Sequence, residues 1–228
     1  MSDAPGPLIG VGRTADVFDI GDGRVLRRYR EDHDVAFEAG VMRWVRDQGF
    51  PVPEVFEANG LDMVMERVQG PTLVDAAGKR PWTVPALGRT LADLHNRLHA
   101  IEAPPIVTKR LGEGASLLHM DLHPLNVLMG PDGPVVIDWL NVAVGDPGYD
   151  VAYAWMVLDV AELPTTGFDR IVTALGRRVL LRSFLGRIED RAGAARCLGR
   201  LRPEGLVNER HFSAGEKERM DDLARRNS

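Results

Sequence analysis

Between Leu117 and Gly130 the chain reads LLHMDLHPLNVLMG, which sets His119, Asp121, His123 and Asn126 within eight positions among apolar neighbours. Polar side chains buried without a partner cost roughly 2–7 kcal/mol each, so such a cluster must be hydrogen-bonded, ion-bound or chemically used. Twelve residues past Asn126 stands Asp138, behind the apolar run VVI. A carboxylate, an amide and a second carboxylate in this order suit phosphoryl transfer. Asp121 can accept or orient the proton of an attacking hydroxyl, while Asn126 and Asp138 offer oxygen ligands to Mg²⁺. The spacing matches H-R-D-L-x-x-x-N, with His119 and Leu122 on its other fixed positions. The same letters allow a second chemistry, because His-x-Asp-x-His on a strand can aim three ligands at one metal, as in a hydrolase. Pro124 argues against an unbroken strand there. The further histidines, His95 and His99, lie four apart on a helix and read as surface residues.

The elements that must carry these residues follow from periodicity. PLIGVGRTADVFDIGDGRVLRRYR alternates short β-rich runs with glycine turns, a hairpin signature. From Asp34, the residues Val35, Glu38, Val41, Met42 and Val45 take helical spacing, and the helix stops near Gly49, ahead of Pro51. EVFEA and LDMVMER read as two strands around an Asn-Gly turn. A connector at 66–72 leads to a helix begun by Thr83 and Pro85, with Leu87, Leu91, Leu94, Leu98 and Ile101 on one stripe. NVLM and PVVIDW are short strands. After Gly145 the chain reads as helices, with Val151, Trp155 and Leu158 as core, breaks near 164–167, 193 and 203–205, and a charged last dozen residues expected to fray. Asp146 and Asp150 read as organisers of the loop and of the helix start.

HMDLHPLN, VIDW and GDPGYDVA taken together resemble the aminoglycoside phosphotransferase and choline-kinase-like group, which shares the protein-kinase-like fold. The likeness runs from about Leu8 to about Trp155. It implies an α+β, bilobal architecture. Residues 1–68 would form a small antiparallel sheet with one helix that binds nucleotide, and 69–228 a larger, mainly helical lobe with the catalytic loop and acceptor site. It implies an ATP-dependent phosphotransferase (with GTP left open as the donor) that uses Mg²⁺ to phosphorylate a hydroxyl of a small molecule. Asp121 is then the base, and Asn126 and Asp138 hold the metal. GVGRTADVF resembles a glycine-rich phosphate loop with Ala15 at the third glycine position; Gly10 and Gly12 allow close backbone approach, although a plain hairpin turn explains them too. Arg27 occupies the strand of the phosphate-anchoring lysine, Glu38 is its ion-pair partner, and MVMERVQG, including Glu66, is the strand and hinge along which adenine lies. His123 divides between loop packing and a phosphate contact, whereas His119 braces the loop.

The departures matter as much. Arg27 replaces Lys, and the first 78 residues contain no lysine; guanidinium binds phosphate but is longer and planar. Met120 and Leu125 stand where small residues are usual, and Trp139-Leu140 follows Asp138. Only seven residues separate Asp138 from Asp146, which leaves no room for a long activation loop. The alternative is a nucleotide-binding module with little or no transfer.

Composition narrows the class further. The 228 residues are 44% hydrophobic, carry a net charge of −5 and include one cysteine, Cys197. No basic field points to nucleic acid, no disulfide framework is possible, and one thiol suits a reducing cytoplasm. The N-terminus lacks the pattern of a signal peptide, and no run reaches the ~18 apolar residues of a membrane span. Residues 170–202 hold nine arginines against Glu189 and Asp190 alone, a balance unlike a pocket for polycations.

Overall fold

The computed structural model describes residues 5–12, 14–31, 33–160, 167–208 and 212–227. Strands β1 (Leu8–Val11), β2 (Ala15–Gly21), β3 (Arg24–Tyr29), β4 (Val55–Asn59) and β5 (Asp62–Glu66) form one antiparallel sheet in the order β1-β2-β3-β5-β4. Alternation gives the sheet a dry face on which Val25, Tyr29, Met63 and Met65 are buried. Helix α1 (Val35–Asp47) lays Val35, Ala39, Val41, Met42 and Val45 into the core. Its start is fixed by Asp34, whose carboxylate accepts the Phe37 N–H at 2.8 Å, and it ends at Gly49 with φ +75°. The β-β-β-α-β-β reading holds.

The connector is narrow. A Cβ on Gly70 would sit 2.0 Å from the Met129 carbonyl, so only glycine lets this segment cross the later hairpin. Thr72 and Asp75 then form a reciprocal capping box for α2 (Leu73–Lys79). Helix α3 (Val84–His99) follows a 3₁₀ turn at Pro81–Thr83; the Thr83 hydroxyl donates back to the Arg80 carbonyl rather than capping α3. Between α3 and the next long helix the chain makes β6 (Arg110–Leu111), β7 (Ser116–Leu118), the hairpin β8 (Val127–Gly130) with β9 (Gly133–Val136), and β10 (Ala143–Gly145). Strand β10 lies between β6 and β7.

Helices α4 (Pro147–Val160), α5 (Gly167–Leu185), α6 (Arg191–Leu198) and α7 (Ala214–Asn227) complete the α+β architecture. Two expectations need correcting. Gly193 is no break: α6 is capped at Asp190 and runs through Gly193, which is buried beside Gly148 so that α4 and α6 can approach. The charged C-terminal segment is a helix, because Met220 and Leu223 anchor one side of it in the core. Most of the break expected at 164–167 lies outside the described residues; 203–205 is a turn. Among the described residues no helix is long and apolar enough to cross a membrane.

Candidate active site

Arg27 leaves β3 on the buried face of the sheet and meets two carboxylates far apart in sequence. Its Nη1 lies 3.0 Å from Glu38 Oε1 on α1, and its Nη2 lies 2.9 Å from Asp138 Oδ1 beyond β9. Glu38, 0% exposed, also accepts hydrogen bonds from the Tyr29 hydroxyl and from the Trp139 backbone N–H, the latter at 3.0 Å. A buried carboxylate needs this many partners to stay charged. Burial works against the charge on Arg27, but Glu38 and Asp138 outweigh it and raise the guanidinium pKa. Burial and Glu38 together push the Tyr29 phenol up.

Asp138 is aimed by its backbone. It adopts φ +70°, a left-handed conformation that Asp tolerates better than most residues. The following Trp139 is fully buried, with its indole N–H donating to the Val136 carbonyl at 3.2 Å and its ring 4.6 Å from that of His119. The apolar anchor and the hydrogen bond from the Trp139 backbone N–H to Glu38 therefore turn the Asp138 carboxylate back toward β3.

Asp121 stands in the loop between β7 and β8. Its Oδ2 accepts from Asn126 Nδ2 at 3.2 Å, and its Oδ1 lies 3.3 Å from His123 Nε2. His123 Nδ1 accepts the Leu125 N–H at 3.3 Å, which places the ring proton on Nε2, facing Asp121. Asn126 Nδ2 also donates to the Asp121 carbonyl at 3.0 Å, so its Oδ1 is left for another partner. The loop is anchored from below by Asp150 on α4, fully buried, whose oxygens accept the backbone N–H of His119 at 3.0 Å and of Met120 at 2.8 Å. Met120 is held at φ +60° in this turn. Asp146 accepts the Gly148 N–H at 2.8 Å and caps α4.

The strand register sets Gly10 in one row with Val17 and Arg27, on neighbouring strands. A Cβ there would touch only Val17, at 3.5 Å, so the protein itself does not demand glycine. Gly12 differs: a Cβ would lie 2.9 Å from the Ala15 carbonyl, which the Gly12 N–H binds at 2.8 Å. Glu66 is not drawn into the cluster. It is exposed, accepts the Glu54 N–H at 3.1 Å and lies 3.7 Å from Arg46. Arg27, Glu38 and Asp138 thus meet at one point, and Asp121, His123 and Asn126 at another on the adjoining loop.

The hydrolase ligand set does not assemble, since His119 turns to Trp139 and His123 to Asp121. His95 and His99 correct another expectation, because neither is a surface residue. His95 is 0% exposed, with Nε2 3.0 Å from the Leu122 carbonyl, and His99 Nε2 lies 3.0 Å from Asp150 Oδ2. The signal was present in the sequence: His95 falls one turn after Leu91 and one before Leu98, on the apolar stripe. Burial lowers the pKa of His119 and pulls that of His95 down to about 4. Burial opposes the charge on Asp150, yet the His99 bond, with His95 and His119 nearby, holds its pKa below the usual carboxylate range.

Residues 6–115 and 105–182 match the phosphotransferase enzyme family. The chain belongs to that family. It is 36% identical over 118 residues to the streptomycin 6-kinase of Streptomyces griseus, a match covering 49% of this chain and 34% of the relative. The chain thus spans about a third of the length of that curated relative. The fold is similar to that of a choline/ethanolamine kinase family protein from Mesorhizobium loti, with a TM-score of 0.62 at 18% identity over 99% of this chain and 92% of that one. It is also similar to an amicoumacin kinase in complex with AMP-PNP, Ca²⁺ and Ami, with a TM-score of 0.56 at 14% identity over 99% and 88% of the two chains.

Proposed function

We propose that this family member transfers the γ-phosphoryl group of ATP, with Mg²⁺, to a hydroxyl of a small molecule. The observation that carries the reading is the Arg27–Asp138 contact, which joins the strand expected to meet phosphate to the carboxylate expected to meet metal across 111 positions. Residues 1–68 act as the nucleotide lobe and 69–228 as the catalytic and acceptor lobe. Gly10 and Gly12 lie along the phosphates, and Arg27, braced by Glu38, supplies positive charge to them. Glu66 faces a nucleotide with its main chain only, as its carboxylate is engaged elsewhere.

The donor set fits a hard cation. Asn126 Oδ1 is free of its own loop, Asp138 Oδ2 takes no bond among the described residues, and the Asp138 side chain is 35% exposed. When bound there, Mg²⁺ neutralises charge on the phosphates. Asp121, oriented by His123 and Asn126, takes the proton of the acceptor hydroxyl as its oxygen bonds to phosphorus and the bond from phosphorus to the leaving diphosphate breaks. His123, whose Nε2 lies 3.3 Å from Asp121 Oδ1, serves as a positioning residue for Asp121, and a phosphate contact from the same ring stays open.

The second reading, nucleotide binding without transfer, draws on Arg27 being held by two carboxylates at once. Transfer measured over a panel of alcohols, amino alcohols and sugars separates the two. The phosphotransferase reading expects Asp121→Asn to lose about 10²–10⁴-fold in transfer while nucleotide binding persists; equal background ATP loss in wild type and variant ends it. Arg27→Lys is the companion variant: activity in either form excludes the binding module.

A further inference from the structure

We propose that His95 Nδ1, His99 Nε2 and Asp150 Oδ2 form a buried site for a divalent transition ion of the zinc class, beneath the catalytic loop and separate from Asn126 and Asp138. The site stands independently of phosphotransfer. The three atoms lie within 4.8 Å of one another, with 3.7 Å from His95 and 3.0 Å from His99 to the same carboxylate oxygen. A tetrahedral ion with bonds of roughly 2.0–2.1 Å spans ligand edges of about 3.3–3.5 Å, so small side-chain rotations close the set.

His95 supplies the deciding observation. Its Nε2 is committed to the Leu122 carbonyl at 3.0 Å, which places the ring proton there and leaves the Nδ1 lone pair free. That Nδ1 is fully buried and has no hydrogen-bond partner, and the atom across from it is Asp150 Oδ2. In its neutral form the ring turns that lone pair toward Asp150. A lone pair facing a carboxylate oxygen 3.7 Å away is repulsive unless a donor or a cation joins them, and a cation there turns both into ligands. Two imidazoles and one carboxylate favour zinc-class ions over Mg²⁺. The outer contacts already exist, since the Leu122 carbonyl orients His95 and the His119 and Met120 amides orient Asp150. His99 would offer Nε2 in its other tautomer. An ion here ties α3, the catalytic loop and α4 at one point.

The competing occupant is a water that donates to both His95 and Asp150. The full chain, stripped with a chelator and dialysed, is titrated with Co²⁺ followed by its visible ligand-field bands, and with Zn²⁺ followed by thermal unfolding. The expected result is one equivalent bound, tetrahedral Co²⁺ bands, and a melting point raised by about 5 °C at free Zn²⁺ of ~100 Kd. His99→Gln, whose amide still donates to Asp150, keeps the circular dichroism of the wild type and loses both signals. Absence of stoichiometric binding at micromolar free ion overturns the site in favour of water, and bands that persist in His99→Gln overturn it in favour of a location elsewhere.

Discussion

At the scale of single residues, Arg27 decides most. Glu38 is wholly buried and Arg27 is its only cationic partner among the described ion pairs. Arg27→Met leaves that carboxylate with neutral donors alone, and losing one partner of a buried pair costs about 3–5 kcal/mol. Urea unfolding should show a loss of that size, well above the effect of removing exposed Arg187 from its pair with Asp93. A second residue-scale effect comes from His95. Its folded pKa, about 4, lies below the ordinary 6.5. Between these values the unfolded chain takes up a proton that the folded ion-free protein refuses, so stability falls as pH drops from 6.5 to 4 and then levels off for this group. The full drop is about 3 kcal/mol, and His95→Asn should flatten it in denaturant titrations across that range. Asp150, whose pKa is depressed, loses its contribution only at more acidic pH. Asp121, Asn126 and Asp138 stood out in the sequence because polar residues amid apolar flanks demand an explanation. His95 shared the apolar stripe of Leu91 and Leu98, which signals burial but not its partner 55 positions later. His99 carried no signal, because a helical histidine looks the same on paper whether it faces water or, as here, a carboxylate 51 positions on.

At the scale of elements, glycine placement separates what periodicity reveals from what it hides. The stripe Leu87, Leu91, Leu94, Leu98 foretold α3, but Gly88 beside it carried no such signal. In the structure α5 packs so close that a Cβ on Gly88 would lie 2.6 Å from the Leu180 carbonyl and 2.9 Å from Ser183 Cβ. Helix propensity alone says that Gly88→Ala gains about 1 kcal/mol. Packing says the reverse, because a backbone carbonyl cannot step aside. Gly88→Ala is expected to destabilise by roughly 2–3 kcal/mol through overpacking, and a rise in the urea midpoint would show that the two helices can separate cheaply. The same distinction explains the two misread segments. Gly193 looks like a helix breaker until Gly148 is found against it, and the charged C-terminal helix looks unanchored until Met220 and Leu223 are found buried. Strand order β1-β2-β3-β5-β4 and the position of β10 between β6 and β7 lay beyond local pattern as well, because register is fixed by partners distant in sequence.

At the scale of the whole molecule, the sheet and the helical part meet at the site through Arg27 and Asp138, and this contact sets what nucleotide does to stability. Without ligand, Asp138 gives Arg27 its second anionic partner while Glu38 gives the first, and only Glu38 is fully buried. Asp138→Ala therefore leaves the more costly pair intact and should lower the stability of the ligand-free protein by only ~1 kcal/mol. Its effect on the ligated protein is far larger under the proposed metal role. A ligand at 100 times its Kd adds about 2.7 kcal/mol to folding, which for a chain of this length raises the melting point by several degrees. In wild type that gain should depend on Mg²⁺ being present with the nucleotide. In Asp138→Ala the Mg²⁺-dependent part should vanish while any metal-independent part remains, since Arg27 keeps its pair with Glu38 and the glycine turn is unchanged. Thermal unfolding with ADP, with and without Mg²⁺, measures both parts at once. A variant still stabilised by Mg²⁺ to the wild-type extent would place the metal on other ligands and leave Asp138 as a structural partner of Arg27.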